Sequence, residues 1–180
     1  MFKSNIEIEF KTAVDKEKYL EMLHHFNLQD NIFLQTNYYF DTKDLELNKN
    51  DIVLRIRKKG DRFKVTLKKQ GEKGAFENHV FLTKEQAEEM IKNGFNTKDY
   101  FKDLDYDVTF KASLDNYRVS TPYLNGKLFL DRCDYHEKTE YEIEFEVDNY
   151  EEGEIEFFEL LKQFDVTFVK TKRKSERALK

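Results

Sequence analysis

Two carboxylates and a lysine at alternating positions open the chain: Glu7, Glu9 and Lys11, in the run N-I-E-I-E-F-K from Asn5 to Lys11. Successive side chains of a strand point to opposite faces, so these three share one face while Ile6, Ile8 and Phe10 share the other. The pattern returns at Tyr141 to Val147, Y-E-I-E-F-E-V, where Glu142, Glu144 and Glu146 take one face. Between the two acidic runs the sign reverses. Arg55 to Lys73 holds nine Lys or Arg against two acids, whereas Glu137 to Glu159 holds eleven acids against one Lys. Within the basic run Arg55 and Arg57 (L-R-I-R) and Lys64, Thr66 and Lys68 (K-V-T-L-K) alternate with Leu54, Ile56, Val65 and Leu67; Val53 is out of step. Carboxylates hold hard divalent cations through oxygen, and guanidinium and ammonium groups hold phosphate oxygens. Together they make the chemistry of a metal-bridged polyphosphate site. Turned to solvent, the same faces would be ordinary surface. The chemistry therefore requires elements that bring these faces inward.

The periodicities predict those elements. After the first strand, Asp15 can cap a helix whose Tyr19, Leu20, Leu23 and Phe26 recur at helical spacing. His24 and His25 within it are adjacent and so diverge around the axis, which speaks against a ligand pair. Phe33 to Asp41 is an aromatic strand. Ile52 to Lys58 and Arg62 to Gln70 flank the turn Lys59-Gly60-Asp61 as a hairpin, and Ala75 to Leu82 adds a strand with Glu77 and His79 on one face. Thr83 opens a capping box for a helix over 83–93, stopped by Gly94. Further strands are expected at Val108 to Ala112, Tyr117 to Thr121, Lys127 to Tyr135 and Glu140 to Asp148, with Asn125-Gly126 as a turn. A helix over Glu154 to Phe164 and a last strand from Val166 towards Lys172 complete the chain. Antiparallel strands with charges on one face can close into a barrel with a polar lumen and helices packed outside.

Composition narrows the class. A chain of 180 residues with one Pro and six Gly offers no linker and reads as one α+β domain spanning 1–180. With 17 Phe and 10 Tyr, aromatic and β-branched side chains must supply the core. The net charge of −5 argues against a general nucleic-acid binder. No run approaches a membrane span or a signal peptide, so no membrane partner and a cytoplasmic location are expected. The lone cysteine, Cys133, excludes an internal disulfide and reads as a small core or wall residue.

In this order, E-I-E-F-K at Glu7 to Lys11, Y-F-D-T at Tyr39 to Thr42, L-R-I-R at Leu54 to Arg57, V-T-L-K at Val65 to Lys68 and Y-E-I-E-F-E at Tyr141 to Glu146 resemble the motifs of the CYTH superfamily. These are the triphosphate tunnel metalloenzymes, among them class IV adenylate cyclases, thiamine triphosphatases and inorganic triphosphatases. The resemblance spans almost the whole chain. It implies a closed eight-stranded antiparallel β-barrel, a tunnel through which a triphosphate is threaded. It further implies Mg²⁺ or Mn²⁺ held by Glu7, Glu9, Glu77, Asp131, Glu144 and Glu146, with Glu142 sharing the parity and able to shift the late pair by one step. Lys11, Arg55, Arg57, Lys68, Arg118 and Lys174 would contact phosphate, Lys172 being the alternative to Lys174. Glu9, Glu144 and Lys11 would be the catalytic set.

The activity expected from the resemblance is metal-dependent hydrolysis of a small-molecule triphosphate, inorganic or nucleoside, by a monomer or homodimer. Cyclisation of ATP to cyclic AMP in the same tunnel and noncatalytic binding of nucleotide or polyphosphate are the alternatives. Neither a G-x-x-x-x-G-K-[ST] loop nor a recognisable Ser-His-Asp arrangement is present, in keeping with phosphoryl transfer by positioning and electrostatics.

Overall fold

Period-two patterning becomes nine strands in a computed structural model that describes residues 2–180, with side chains from Asn5 onward. They are β1 (Phe2–Val14), β2 (Phe33–Asp41), β3 (Ile52–Lys59), β4 (Arg62–Gln70), β5 (Ala75–Leu82), β6 (Phe95–Asn96), β7 (Asp107–Tyr123), β8 (Gly126–Tyr135) and β9 (Lys138–Val147). The helices are α1 (Lys16–His25), α2 (Glu46–Lys49), α3 (Lys84–Asn93), α4 (Tyr150–Gln163) and α5 (Lys174–Ala178). The strand order is β2-β3-β4-β5-β1-β9-β8-β7-β6, and β2 also pairs with β7. Eight strands from β2 round to β7 thus close the ladder, with β6 an added two-residue strand. The fold is the expected α+β class, a closed eight-stranded antiparallel β-barrel. No helix among the described residues is long and apolar enough to cross a membrane.

By proximity of their Cα atoms the described residues fall into two compact units: residues 2–6, 35–114 and 173–180 in the first, 7–34 and 115–172 in the second. In the first, the apolar sides of β2, β3 and β4 supply Phe40, Leu54, Ile56, Phe63 and Val65, and α2 and α3 bury Leu47, Ala87 and Met90 against them. In the second, Val119, Leu128, Leu130, Ile143, Phe145 and Val147 of β7, β8 and β9 are covered by Tyr19, Met22 and Leu23 of α1 and Phe157, Leu160 and Leu161 of α4. Each unit therefore covers the aliphatic face of its strands with helices. The alternate, charged face is left for chemistry.

Several elements differ from the sequence expectation. A single strand, β7, runs where two are expected, because Asp115 and Asn116 stay in register with Asp134 and Cys133. The segment after α4 does not form a strand. Its Val169 carbonyl accepts from the Ala13 N–H at 3.2 Å, and its N–H donates to Thr12 Oγ1 at 2.8 Å. One side chain thus takes the place of a ladder. Asn149 caps α4 by accepting from the Glu152 N–H, so the helix begins before Glu154. The expected capping box is present: Thr83 and Gln86 exchange bonds at 3.1 and 2.8 Å.

Candidate functional site

In the second unit the ladder register decides which side chains meet. Residues directly opposite in an antiparallel pair share a face. Across β1 and β9, Glu9 faces Glu146, Lys11 faces Glu144 and Ala13 faces Glu142. Across β9 and β8, Glu142 faces Asp131 and Glu144 faces Phe129; across β8 and β7, Asp131 faces Arg118. These polar residues lie opposite the face that packs on α1 and α4. Asp131, Glu142 and Glu144 are all buried, and one carboxylate oxygen from each lies within 4.8 Å of the other two. Cys133 lines the same face, its Sγ 3.6 Å from Glu142 Oε1.

Arg118 organises this group. Its Nε donates to Asp131 Oδ1 at 2.8 Å, and its Nη2 donates to Asp131 Oδ2 and Glu144 Oε2, both at 2.7 Å. Asn116 Nδ2 adds a bond to Asp131 Oδ1 at 3.0 Å. The guanidinium centre lies 4.2 Å from the centroid of the Phe129 ring. Burial alone would make the guanidinium easier to deprotonate, but Asp131, Glu144, the hydrogen bonds to Asp131 and Glu9 outweigh it and hold the pKa well above its ordinary value. Of the three clustered carboxyl groups, two bond this one guanidinium. The donor set is all oxygen, the kind that hard divalent cations take, so these residues fit Mg²⁺ or Mn²⁺.

Of the late acids, the structure groups Glu142 and Glu144 with Asp131, while Glu146 is half-buried opposite Glu9 and Lys127. Glu7, Glu9 and Lys11 are half-buried along β1.

The first unit carries the cations. In register across β2, β3, β4 and β5, one face presents Asn37 and Tyr39, then Arg57 and Arg55, then Lys64, Thr66 and Lys68, then Glu77 and His79. Asn37 bridges two of these rows: its Oδ1 accepts from Arg57 Nε at 2.9 Å and its Nδ2 donates to Tyr39 Oη at 3.2 Å. Arg55 Nε is buried with no acceptor among the described residues. Burial raises the Tyr39 pKa; Arg55, Lys174, Arg57 and the Asn37 bond oppose this without cancelling it. Lys174, buried at the start of α5, thus joins the arginine cluster in this unit, whereas Lys172 is exposed.

Glu77 keeps company with nitrogen donors here. Its Oε2 is 3.6 Å from Lys68 Nζ and its Oε1 is 3.0 Å from His79 Nε2, while His79 Nδ1 is 2.8 Å from Thr66 Oγ1. Asn37, Tyr39, Thr66, His79 and Asn116 are absent from the residues chosen by motif. Parity would have found Thr66, His79 and Asn116, each two residues from an expected one on the same strand; Asn37 and Tyr39 lie on β2, which supplied no expected site residue.

Comparison with known proteins identifies the family and the fold. Residues 5–179 match the CYTH domain family. A Bacillus subtilis (strain 168) protein named "Putative triphosphatase YjbK" is 33% identical over 175 residues, covering 94% of this chain and 92% of the relative. The crystal structure of a Bacillus halodurans protein described as a "putative adenylate cyclase" superposes with a TM-score of 0.90 at 32% identity, covering 97% of both chains. A Hippeastrum protein described as a "putative adenylyl cyclase" with a dominant triphosphatase activity shares the fold at a TM-score of 0.75 and 19% identity, covering 97% of this chain and 94% of its own. With the ordered motifs, the register and the match over 5–179 in agreement, the chain belongs to the CYTH family.

Proposed function

We propose that this protein is a divalent-metal-dependent hydrolase that releases the terminal phosphate of inorganic triphosphate or a nucleoside triphosphate. The observation that carries the reading is the buried trio Asp131, Glu142 and Glu144 braced by Arg118. Bound there, Mg²⁺ or Mn²⁺ supplies Lewis-acid stabilisation of charge developing on phosphate oxygens. Arg118 fixes the carboxylate planes and stays cationic. Arg55, Arg57, Lys68 and Lys174 take phosphate oxygens, Arg57 with its orientation set by Asn37. Lys11 and Glu9, on the polar face beside Glu144 and Glu146, complete the set that touches the reacting group. The triphosphatase name of the Bacillus subtilis relative supports hydrolysis over cyclisation.

The test is incubation with inorganic triphosphate and with ATP under Mg²⁺ and under Mn²⁺, resolving orthophosphate, pyrophosphate and cyclic AMP. Orthophosphate with the matching diphosphate is expected. Cyclic AMP with pyrophosphate would replace the hydrolase by a cyclase, and the absence of turnover with retained binding would leave a nucleotide or polyphosphate carrier.

A further inference from the structure

Two cross-strand pairs on neighbouring rungs of β4 and β5, Thr66 with His79 and Lys68 with Glu77, form a block joined by contacts on the polar face. The contacts run in one direction: Thr66 Oγ1 to His79 Nδ1 at 2.8 Å, His79 Nε2 to Glu77 Oε1 at 3.0 Å, and Glu77 Oε2 to Lys68 Nζ at 3.6 Å. A carboxylate can only accept, so the proton on Nε2 points at Glu77, and in the neutral ring Nδ1 accepts from the Thr66 hydroxyl. Thr66 is fully buried, so its hydroxyl fixes the ring and is not a nucleophile. The contacts thus reach the ammonium of Lys68.

We propose that His79 is a positioning residue that acts through Glu77 on Lys68, holding the carboxylate so that Lys68 is presented to a phosphate oxygen, and that Glu77 thereby serves the phosphate-gripping cations and is not a metal ligand. This inference rests on the triphosphate reading above and departs from the metal role that the family resemblance implies for Glu77. Without His79 one Glu77 oxygen loses a donor at 3.0 Å, and the carboxylate beside Lys68 is held less firmly.

The experiment is calorimetric titration of inorganic triphosphate into the full-length wild type and its variants, once in EDTA and once in Mg²⁺. His79→Leu should weaken binding about tenfold under both conditions, the cost of one charge-assisted contact. His79→Gln, whose amide nitrogen still donates to Glu77, should stay within about threefold of wild type. In a Lys68→Ala background His79→Leu should cost nothing further, since the contact it serves is gone. Glu77→Gln should weaken binding in EDTA as well as in Mg²⁺.

Losses that multiply in the double variant, or an unchanged affinity of His79→Leu in EDTA, overturn the proposal while the function stands. A Glu77→Gln effect confined to Mg²⁺ returns that residue to the metal ligands and does the same. Wild type that takes up no triphosphate under either condition removes the function and the inference with it. If thermal unfolding shows that His79→Leu does not fold, Thr66→Val replaces it: this near-isosteric change removes only the hydroxyl that fixes the ring. It should weaken binding in EDTA, and wild-type affinity would overturn the proposal.

Discussion

Arg118 bears more of the site's order than its lone place in N-Y-R suggests. It makes three bonds to two buried carboxylates, two of them to Asp131, which is therefore its main compensating charge. Asp131→Asn removes the bidentate partner and leaves a buried cation facing an amide. A broken buried ion pair costs about 3 to 5 kcal/mol, and with Glu144 still in place a loss of about 2 to 3 kcal/mol is expected, read from urea unfolding. An unchanged midpoint would show that Glu144 alone suffices. Glu144→Gln differs in kind, because the amide oxygen still accepts from Arg118 while the anionic group proposed to hold the metal is gone. It should unfold near the wild-type midpoint and lose metal-dependent turnover across a Mg²⁺ titration. Full turnover by the folded variant would remove Glu144 from the metal ligands. From sequence the late pair reads as Glu144 and Glu146, with Glu142 as the alternative because all three share parity, whereas the structure groups Glu142 with Glu144. The choice among them is set by what lies opposite in the ladder, Asp131 against Glu142 but Lys127 against Glu146, and no single strand contains that information.

Among the elements, the Y-F-D-T motif has an architectural role that its residue types do not advertise. Asp41 is buried at the end of β2, and its carboxylate accepts from the N–H groups of Thr42, Leu47 and Asn48 at 2.7, 2.9 and 3.0 Å. It thereby ties down the turn, with Leu45 at a φ of 57°, that carries β2 into α2. Asp41→Ala strands three donors, two of them in bonds that are fully buried, and should destabilise the fold by about 3 kcal/mol. A loss below about 1 kcal/mol in urea would show the turn to be held by other contacts. Helix α4 gives the opposite of a propensity expectation. Gly→Ala in a helix normally gains about 1 kcal/mol, but a Cβ at Gly153 would lie 2.4 Å from Val147 Cγ2. Gly153→Ala should therefore lower stability, by about 1 to 3 kcal/mol as for other overpacked sites, and a raised melting temperature would contradict the contact. Strands with strict alternation and helices with caps were legible from sequence because each carries its own periodicity. The stretch 166–172 misled because its apolar residues suit a strand, while its backbone anchorage depends on Thr12, over 150 positions earlier.

For the molecule as a whole, the sorting of charge along the chain becomes a sorting between its two units. The net charge of −5 hides it. One unit holds Arg55, Arg57, Lys68 and Lys174, and the other holds Asp131, Glu142 and Glu144 with Arg118. If the first set grips phosphate and the second holds the ion, variants in the two units must respond differently to metal. Arg57→Ala removes a guanidinium whose Nε is committed to Asn37 and whose remaining nitrogens are oriented by that bond. It should weaken inorganic triphosphate binding in EDTA as much as in Mg²⁺, because its contacts need no ion. One charge-assisted contact is worth about 1.5 to 3 kcal/mol, which is about a ten- to hundredfold change in affinity. Glu144→Gln should bind like wild type in EDTA and fall behind only as Mg²⁺ is raised. Calorimetry of both variants, with and without the ion, gives the comparison. Wild-type affinity of Arg57→Ala in EDTA would make the basic ladder ordinary surface charge, and equal losses for Glu144→Gln in both conditions would place that carboxylate outside the metal set.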